Sequence, residues 1–536
     1  MTITDETIHM FSREHQISKL IEVNEWDFIV IGGGASGLGI AVDAASRGFK
    51  TVLFEGNDFA KGTSSKSTKL VHGGVRYLAQ GNFDLVKEAL EERGILAKNA
   101  NHLFKNLSFV IPNYKWWHGY YYAIGLKVYD FLSKKLSLGK SELIGKTKTM
   151  EMLPNIKNEH LSSGVIYHDG QFDDSRLAIN LAQTAIEQGA TVLNYFKVTA
   201  ILKDDNGKNK GVTVVDKETE AIYHVNSKCI INATGVFTDK ILKKNDPTHK
   251  KTIITSRGVH LVFDKSFLNS SCAVMIPKTS DGRVLFIIPW HDKVIAGTTD
   301  TPIRKKTLDP IATKAEISFI RANLKHYLKK VPKKKDIRSV FAGLRPLAAP
   351  KDDDTKTKEV SRSHKIIVSE STLISIVGGK WTTYRKMAED VVDKSIQVHN
   401  LKQVKSQTRD LHIHGNVTNT SKEIEEYLSV YGSDAKHIKK LEESNILYFQ
   451  KIHVNFNFTV AQIIWAIRNE MAINVEDVLA RRLRLLFLDA KAAIEASPFV
   501  AKIMANELNK DNNWINEQVA SFKKVAETYT IEYYYE

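Results

Sequence analysis

Residues 26–55 constrain the fold more than any other segment, because they have the pattern of a strand, a glycine-rich turn, a helix and a second strand. Residues 28–31 form a continuous apolar run, as in a strand that is buried on both faces. Gly32, Gly34 and Gly37 follow with G-x-G-x-x-G spacing. In this pattern the first glycine allows a tight turn, the second lets backbone N–H groups approach a pyrophosphate, and the third lets the helix lie close to the strand.

Glu55 follows the second predicted strand of this unit, residues 51–54. It lies roughly 20 residues after the glycines, where an acidic side chain accepts hydrogen bonds from the ribose of an adenine dinucleotide. The strand, the helix and the acid are all present, so the sequence predicts dinucleotide binding rather than an ordinary structural turn. The motif alone does not distinguish NAD from FAD.

The composition is that of a large globular protein. The chain has 536 residues, enough for roughly two to four domains. Cys229 and Cys272 form no C-x-x-C pair, which indicates a reducing compartment. The N-terminus is polar and acidic, unlike a signal peptide, so we expect a cytosolic protein. No apolar stretch is long enough to span a membrane as one helix.

The formal net charge of +15 is compatible with nucleic acid, an anionic membrane surface or an anionic substrate. The lysine-rich residues 329–335 contain no interleaved aromatic residues that could stack on bases. The sequence also lacks zinc-finger, basic-zipper and RNA-binding signatures. We therefore predict no nucleic-acid partner and no metal site.

Residues 58–78 form an unusual loop that is dense in glycine, serine and threonine and also carries Lys66, Lys69, His72 and Arg76. Such a composition suits close backbone approach to a large polar ligand. The alternative is a flexible surface linker, but a linker would not explain the apolar residues within the loop. We favour ligand contact.

The sequence from Gly62 to Leu78, GTSSKSTKLVHGGVRYL, resembles the signature of the aerobic, respiratory FAD-dependent glycerol-3-phosphate dehydrogenases. The resemblance is strong from residue 26 to about residue 395, and the C-terminal part is similar to the helical domain of the family. Further matching segments are residues 84–93 (DLVKEALEER), 231–236 (INATGV), 343–347 (GLRPL), 360–364 (VSRSH), 378–385 (GGKWTTYR), 470–472 (EMA) and 477–484 (DVLARRLR).

The patterns and the resemblance together imply an α/β fold. A Rossmann-like FAD-binding domain is interleaved with an antiparallel-sheet substrate domain, and an all-α C-terminal domain follows. The predicted bounds within residues 1–400 are about 20–110, 160–260 and 335–400 for the FAD-binding domain and about 110–160 and 260–335 for the substrate domain, with 401–536 as the helical domain.

The resemblance assigns FAD as cofactor and implies oxidation of sn-glycerol 3-phosphate to glycerone phosphate, with hydride transfer to N5 of the flavin. Three glycine turns and the loop after Gly62 are the expected contacts of the cofactor. The predicted FAD-binding residues are Gly32, Gly34, Gly37, Glu55, Thr63, Ser64, Ser65, Gly235, Gly379 and Thr382.

Cations are expected to hold the substrate phosphate, because arginine can form paired hydrogen bonds with phosphate oxygens. The resemblance implies that the substrate-binding residues are Arg76, Tyr77, Arg345 and Arg362, which lie in the family-like segments. Lys380 is the candidate for polarising the substrate hydroxyl or stabilising the reduced flavin. His72 and His260 are candidates for the base that removes the hydroxyl proton, and the sequence does not choose among the three.

Residues 114–136 have the highest aromatic density in the chain and predict an amphipathic helix. Tryptophan, tyrosine and lysine favour a helix in the membrane interface, whereas packing into the core is the alternative. The residues predicted to share one face are Trp117, Tyr121, Ile124, Val128 and Phe131.

The family resemblance favours the interfacial helix, because respiratory members are peripheral membrane proteins that reduce a quinone. The predicted location is therefore cytoplasmic, peripheral on the inner face of the cell membrane, and a homodimer is left open. Within the same reaction class, the alternative is an oxidase that passes electrons to dioxygen and releases hydrogen peroxide. A flavin-containing structural or RNA-modifying protein is the alternative from another class.

Overall fold

The computed structural model describes residues 10–78, 81–133, 136–349, 364–417 and 424–535, apart from the side chains of Arg76 and Tyr77. It contains two sheets, flanking helices and a helical C-terminal region. This architecture confirms the predicted α/β fold class.

The strands are numbered in chain order. They are β1 (Glu25–Ile31), β2 (Thr51–Phe54), β3 (Leu70–Val71), β4 (Phe104–Asn113), β5 (Glu142–Gly145), β6 (Ser163–Phe172), β7 (Thr191–Leu193), β8 (Phe196–Lys203), β9 (Asn209–Asp216), β10 (Ile222–Asn232), β11 (Ile253–Asp264), β12 (Ala273–Ile276), β13 (Leu285–Trp290), β14 (Lys293–Gly297), β15 (Thr301–Ile303), β16 (Ile337–Ala348), β17 (Lys365–Val368) and β18 (Ile374–Val377).

The α-helices are numbered in the same way. They are α1 (Arg13–Glu22), α2 (Ala35–Ser46), α3 (Val75–Leu78), α4 (Phe83–Asn99), α5 (His118–Ser133), α6 (Lys146–Met152), α7 (Asp174–Glu187), α8 (Thr238–Asn245), α9 (Lys314–Tyr327), α10 (Tyr384–Val398), α11 (Ala435–Ser444), α12 (Val460–Glu470), α13 (Leu485–Leu488), α14 (Ala490–Glu507) and α15 (Asn512–Glu527).

The first sheet has the strand order β17-β18-β10-β1-β2-β7, and β8 and β9 extend it from β10. Strands β18, β10, β1, β2 and β7 are parallel neighbours, so their carboxyl ends lie at one edge. The predicted strand–turn–helix–strand unit is confirmed, with Phe28 opposite Thr51 and Ile31 opposite Phe54. The buried face of α2 packs against this sheet.

Two local predictions in this sheet were incomplete. The alternating and β-branched residues 211–215 and 221–225 predict a hairpin, and the antiparallel pairing of β9 with β10 confirms it. The apolar run 229–231 predicts a further strand, but it is not a separate one. It continues β10, which pairs with β9 at its start and with β1 at its end. The strand predicted over residues 192–199 is divided into β7 and β8, because Tyr195 has a left-handed backbone (φ 58°).

The second sheet has the order β15-β11-β14-β13-β12-β4-β6-β3, with β16 paired to β11 and β5 to β6. The predicted antiparallel arrangement holds for these pairs except β12 and β4, which run parallel. This sheet also takes β3, β6 and β16, which lie outside residues 110–160 and 260–335. The division of the chain into domains stays a prediction.

The sequence offers Asp173, Asp174 or Ser175 as the cap of a helix, and α7 is capped by Asp173, whose side chain accepts a hydrogen bond of 3.0 Å from the backbone N–H of Arg176. In the C-terminal region, the helical spacing of apolar residues predicts that Ile463, Val478 and Leu483 are buried, and all three belong to one apolar cluster. Some of the ion pairs between this region and the rest of the chain are buried, such as Arg482 with Asp58.

Helix α5 differs from an ordinary surface helix, because its apolar face is the exposed one. The five residues predicted to share a face are exposed, with Ile124 at 69% and Phe131 at 81% of their full surface. Leu126 and Tyr129 point inward and are buried. The core-packing alternative for this face was therefore wrong. None of the described helices is long and apolar enough to cross a membrane.

Candidate active site

A cavity of about 730 Å³ lies where the carboxyl ends of the parallel strands face the second sheet. The first sheet contributes Ile31 and Phe54, at the ends of β1 and β2, and the second contributes Tyr167 and His260. The carboxyl edge of a parallel sheet is the usual place for a ligand in such folds.

Three glycine turns border this cavity after β1, β10 and β18. Gly32, Gly235 and Gly379 have φ values of 112°, 57° and 88°, a region that other residues rarely adopt. At Gly34 an added Cβ would lie 3.0 Å from Ser64 Oγ, and at Gly37 it would lie 1.8 Å from the carbonyl oxygen of Gly32. Gly34 therefore keeps the cavity wall open, while Gly37 lets α2 pack onto the turn.

The loop after Gly62 crosses the cavity and is fixed by hydrogen bonds. Thr63 Oγ1 donates to the carbonyl oxygen of Leu344 at 2.6 Å, and Ser64 Oγ accepts from the N–H of Ala35 at 3.0 Å. The indole N–H of Trp381 donates to the carbonyl oxygen of Ser64 at 2.8 Å. These bonds hold the loop against β16, the first turn of α2 and Trp381.

Glu55 lies at the end of β2 and lines the cavity. Its carboxylate accepts hydrogen bonds from the N–H groups of Gly33 at 2.7 Å and Asn57 at 2.8 Å. Burial raises the pKa of Glu55, and the two N–H donors oppose that change. The carboxylate keeps further lone pairs for a ribose hydroxyl.

Arg345 lies on β16 on the other side of the cavity. Its guanidinium group donates to Thr298 Oγ1 at 3.1 Å and to Asp300 Oδ1 at 3.4 Å. These two contacts orient one cation at the cavity wall, as a site for a phosphate group requires.

His260 on β11 also reaches the cavity. Its Nε2 lies 2.9 Å from Thr68 Oγ1, and its ring stacks on Phe341 with centroids 4.7 Å apart. Burial holds the pKa of His260 well below its usual range, and the charges of Arg345 and Lys69 act in the same direction. Burial therefore favours the neutral form of this imidazole.

His72 and Lys380 line the cavity as well. The backbone N–H of His72 donates to Thr382 Oγ1 at 3.3 Å, and the Thr382 hydroxyl also lies 3.5 Å from the carbonyl oxygen of His72. Thr382 thus joins the segment around His72 to the turn that carries Gly379 and Lys380.

The structure places most of the predicted site residues in one cavity. Gly37 and Ser65 do not line it: Gly37 packs behind the turn, and the Ser65 carbonyl accepts a hydrogen bond from Lys69 Nζ at 2.6 Å. Arg362 lies outside the described residues, as do the side chains of Arg76 and Tyr77. The predicted site residues that line the cavity are Gly32, Gly34, Glu55, Thr63, Ser64, His72, Gly235, His260, Arg345, Gly379, Lys380 and Thr382.

Sequence reasoning missed Lys66 and Thr68 as cavity residues and Lys69 as their support. Lys69 is buried, and its ammonium group contacts both Asp174 carboxylate oxygens at 2.6 and 2.7 Å. It also lies 5.1 Å from the centre of the Phe487 ring. The high number of lysine residues in this loop was the available signal. A loop that only binds a ligand needs few charged residues, so additional lysines indicate that some of them fix the shape of the loop.

Comparison with known proteins agrees with this geometry. The family described as "FAD dependent oxidoreductase" matches residues 27–385, and "C-terminal domain of alpha-glycerophosphate oxidase" matches residues 369–514. The mitochondrial glycerol-3-phosphate dehydrogenase of Saccharomyces cerevisiae is 38% identical over 96% of this chain and 91% of its own. The chain belongs to the FAD-dependent glycerol-3-phosphate dehydrogenase family.

Two further relatives support this assignment. The human mitochondrial glycerol-3-phosphate dehydrogenase is 38% identical over 96% of this chain and 75% of its own length. The crystal structure of glycerol-3-phosphate dehydrogenase from Bacillus halodurans, complexed with FAD, superimposes with a TM-score of 0.80 at 29% identity and covers 98% of both chains.

The residues of the cavity fit the FAD of this family. Because Gly34 has no Cβ, a pyrophosphate would be able to approach the first turn of α2, and Glu55 in the same cavity wall would be the acceptor for a ribose hydroxyl. The turns at Gly235 and Gly379 border the remaining length of the cavity. FAD is the cofactor of this enzyme.

Proposed function

We propose that the enzyme oxidises sn-glycerol 3-phosphate to glycerone phosphate and passes the electrons to a quinone in the membrane. The observation that supports this choice of substrate is the position of Arg345, a fixed cation in the same cavity as the histidines His72 and His260. Bound FAD supplies the acceptor for the hydride of the alcohol carbon.

The chain's own residues bind and orient the substrate. Arg345 binds the phosphate, with Arg76, Tyr77 and Arg362 as the further proposed contacts. Fixing the phosphate aligns the carbinol carbon and so lowers the entropic part of the barrier. A neutral histidine removes the hydroxyl proton, and Lys380 holds the substrate oxygen as negative charge develops on it.

His260 and His72 remain alternative bases, with Lys380 as the third. His260 has the neutral imidazole, but its Nε2 is already in contact with Thr68. His72 is followed by Gly73 and Gly74, and both His72 and Gly74 line the cavity. Asparagine variants of each histidine, compared over pH, would assign the role, because loss of the base removes the acidic limb of the kcat/KM profile.

The exposed face of α5 supports a membrane partner. Its tryptophan, tyrosine and aliphatic side chains suit the boundary between headgroups and acyl chains. The exposed Lys115 and Lys127 and the net charge of +15 suit anionic lipid. We therefore place the enzyme on the inner face of the cell membrane, where a lipid-soluble quinone is available.

The flavin spectrum tests this function. We expect a yellow holoenzyme that is bleached under anaerobic conditions by glycerol 3-phosphate and not by glycerol. A short-chain quinone should then restore the colour faster than dioxygen does. A flavin that does not respond to glycerol 3-phosphate contradicts the substrate, and equal rates with dioxygen select the oxidase that releases hydrogen peroxide.

A further inference from the structure

Tyr129 connects the exposed helix α5 with the wall of the cavity. The residue is 1% exposed, and its hydroxyl accepts a hydrogen bond of 2.8 Å from the backbone N–H of Gly73. Gly73 follows His72 directly. The same hydroxyl donates to Asp169 Oδ2 at 2.7 Å, and Asp169 lies at the cavity wall.

Asp169 is itself fixed by a buried cation. Arg93 Nη1 donates to Asp169 Oδ1 at 2.9 Å, and Arg93 Nη2 donates to the carbonyl oxygen of Leu136, beyond the end of α5. Burial and the Asp169 carboxylate hold the pKa of Tyr129 well above its usual range, so the hydroxyl stays protonated. The hydroxyl therefore keeps the proton that it donates to Asp169.

The fit around Gly73 leaves little freedom. A Cβ at this position would lie 2.5 Å from the Tyr129 hydroxyl and 2.5 Å from Leu90 Cδ2. The backbone next to His72 thus rests directly on the inner face of α5. The outer face of the same helix carries the exposed residues Ile124, Val128 and Phe131.

We infer that Tyr129 is a positioning residue. It holds the His72–Gly73 backbone at the cavity wall, and it couples the position of that backbone to the position of α5. The second part rests on the proposed membrane function, whereas the first does not. A shift of α5 on a lipid surface moves the Tyr129 hydroxyl, and the peptide next to His72 moves with it because packed side chains do not deform continuously.

Tyr129→Phe tests the inference, because it removes the hydroxyl and little volume. The matched control is Tyr427→Phe, which removes a hydroxyl that donates to the Glu442 carboxylate at 2.7 Å in the C-terminal region. With a soluble dye as acceptor and no lipid, we expect kcat per bound flavin to fall about tenfold in Tyr129→Phe and less than about twofold in Tyr427→Phe. The KM for glycerol 3-phosphate should change less than about twofold in both variants.

Thermal unfolding and flavin content separate positioning from folding. A normal kcat per flavin in Tyr129→Phe, with or without a loss of stability, overturns the inference. Anionic phosphatidylglycerol vesicles then test the second part: they should change kcat of the wild type and of Tyr427→Phe but not of Tyr129→Phe. An equal response in Tyr129→Phe overturns the coupling. If the wild type does not bind vesicles, the membrane function and the coupling both fail, while the dye assay still decides the role of Tyr129.

Discussion

Arg176 and Glu470 form a doubly hydrogen-bonded ion pair with both side chains fully buried, Nη1 to Oε2 at 2.8 Å and Nη2 to Oε1 at 2.7 Å. Arg176 is in α7, in the part of the chain that precedes the C-terminal region, and Glu470 is the last residue of α12 in the C-terminal region. The ring of Tyr431 covers the guanidinium group at 4.3 Å. This pair joins the two parts of the chain in a place that water does not reach.

The first prediction concerns this pair. Glu470→Gln leaves the Arg176 cation without a countercharge at the interface, and we expect the free energy of unfolding to fall by about 3 kcal/mol. Glu507→Gln is the matched control, because it removes the same charge from the partly exposed pair with Arg468 and should cost less than about 1 kcal/mol. Urea denaturation of the two holoenzymes measures the difference, and equal losses would contradict the role of the buried pair.

The second prediction is a pH dependence of stability that arises from His414. Its Nδ1 lies 2.6 Å from Glu187 Oε1 and its Nε2 lies 2.8 Å from Asp434 Oδ2. Burial alone would lower the pKa of His414, but the Asp434 and Glu187 carboxylates raise it to about 10. The folded protein therefore binds this proton more tightly than the unfolded chain does.

The direction of this pH dependence follows from the linkage between proton binding and folding. The contribution of His414 to stability is complete below about pH 6.5, the pKa of an unfolded histidine, and is lost as the pH rises towards about 10. The difference in unfolding free energy between the wild type and His414→Gln should shrink steadily over this window. His453→Gln, which removes a contact with the exposed Glu495, is the control. A difference that grows with pH would contradict the assignment.

The third prediction concerns FAD. Gly34→Val fills the space beside Ser64 Oγ, where an added Cβ already lies at 3.0 Å, and should block the approach of a pyrophosphate. We expect the purified variant to lose most of its flavin absorbance. Gly145→Val introduces the same side chain at a position where no neighbouring atom lies within 4 Å of an added Cβ, and this variant should retain FAD. A folded Gly34→Val protein with a full complement of flavin would show that the cofactor lies elsewhere.

The fourth prediction concerns the substrate phosphate. Arg345→Ala removes the cation that Thr298 and Asp300 orient, and it should raise the KM for glycerol 3-phosphate about 10- to 100-fold while FAD stays bound. Arg338→Ala removes a half-exposed arginine that lies on the same strand as Arg345, β16, and pairs with Asp264 of β11; it should leave KM unchanged. An unchanged KM in Arg345→Ala would remove this residue from the substrate site.

The parts of the site that the sequence predicts are local in the chain. The spacing of Gly32, Gly34 and Gly37 specifies a backbone turn, and the period of the apolar residues in α5 specifies which of them share a face. Neither inference needs tertiary contacts. The same reasoning did not reveal whether that face was buried or exposed, because burial depends on what packs against the helix.

The contacts that complete the site join distant parts of the chain and leave no periodic signal. Thr68 and His260 are 192 residues apart, and Gly73 and the tyrosine that supports it are 56 residues apart. Lys69 was visible in the loop only as one more cation. Its partner Asp174 lies 105 residues away, and no pattern in the sequence distinguishes that carboxylate from its neighbour Asp173.

The last prediction concerns the membrane and depends on the exposed face of α5. Trp116 and Trp117 are 75% and 46% exposed at the start of this helix, and tryptophan contributes strongly to binding at a lipid interface. The double variant with serine at both positions should lose most of its co-sedimentation with phosphatidylglycerol vesicles. Its dye-linked activity in lipid-free buffer should stay within about twofold of the wild type, because neither residue lines the cavity.

The C-terminal region supplies a strict control for this experiment. Ile446 and Val454 are even more exposed, at 85% and 84%, but they lie outside α5 and are not accompanied by tryptophan. Serine at both of these positions removes a similar exposed apolar area and should leave vesicle binding unchanged. Equal losses in the two double variants would mean that general surface hydrophobicity drives the binding, and α5 would then have no special role. Loss in the tryptophan variant alone, together with slower reduction of a long-chain quinone in vesicles, assigns the lipid contact to α5 and the quinone to the same side of the molecule.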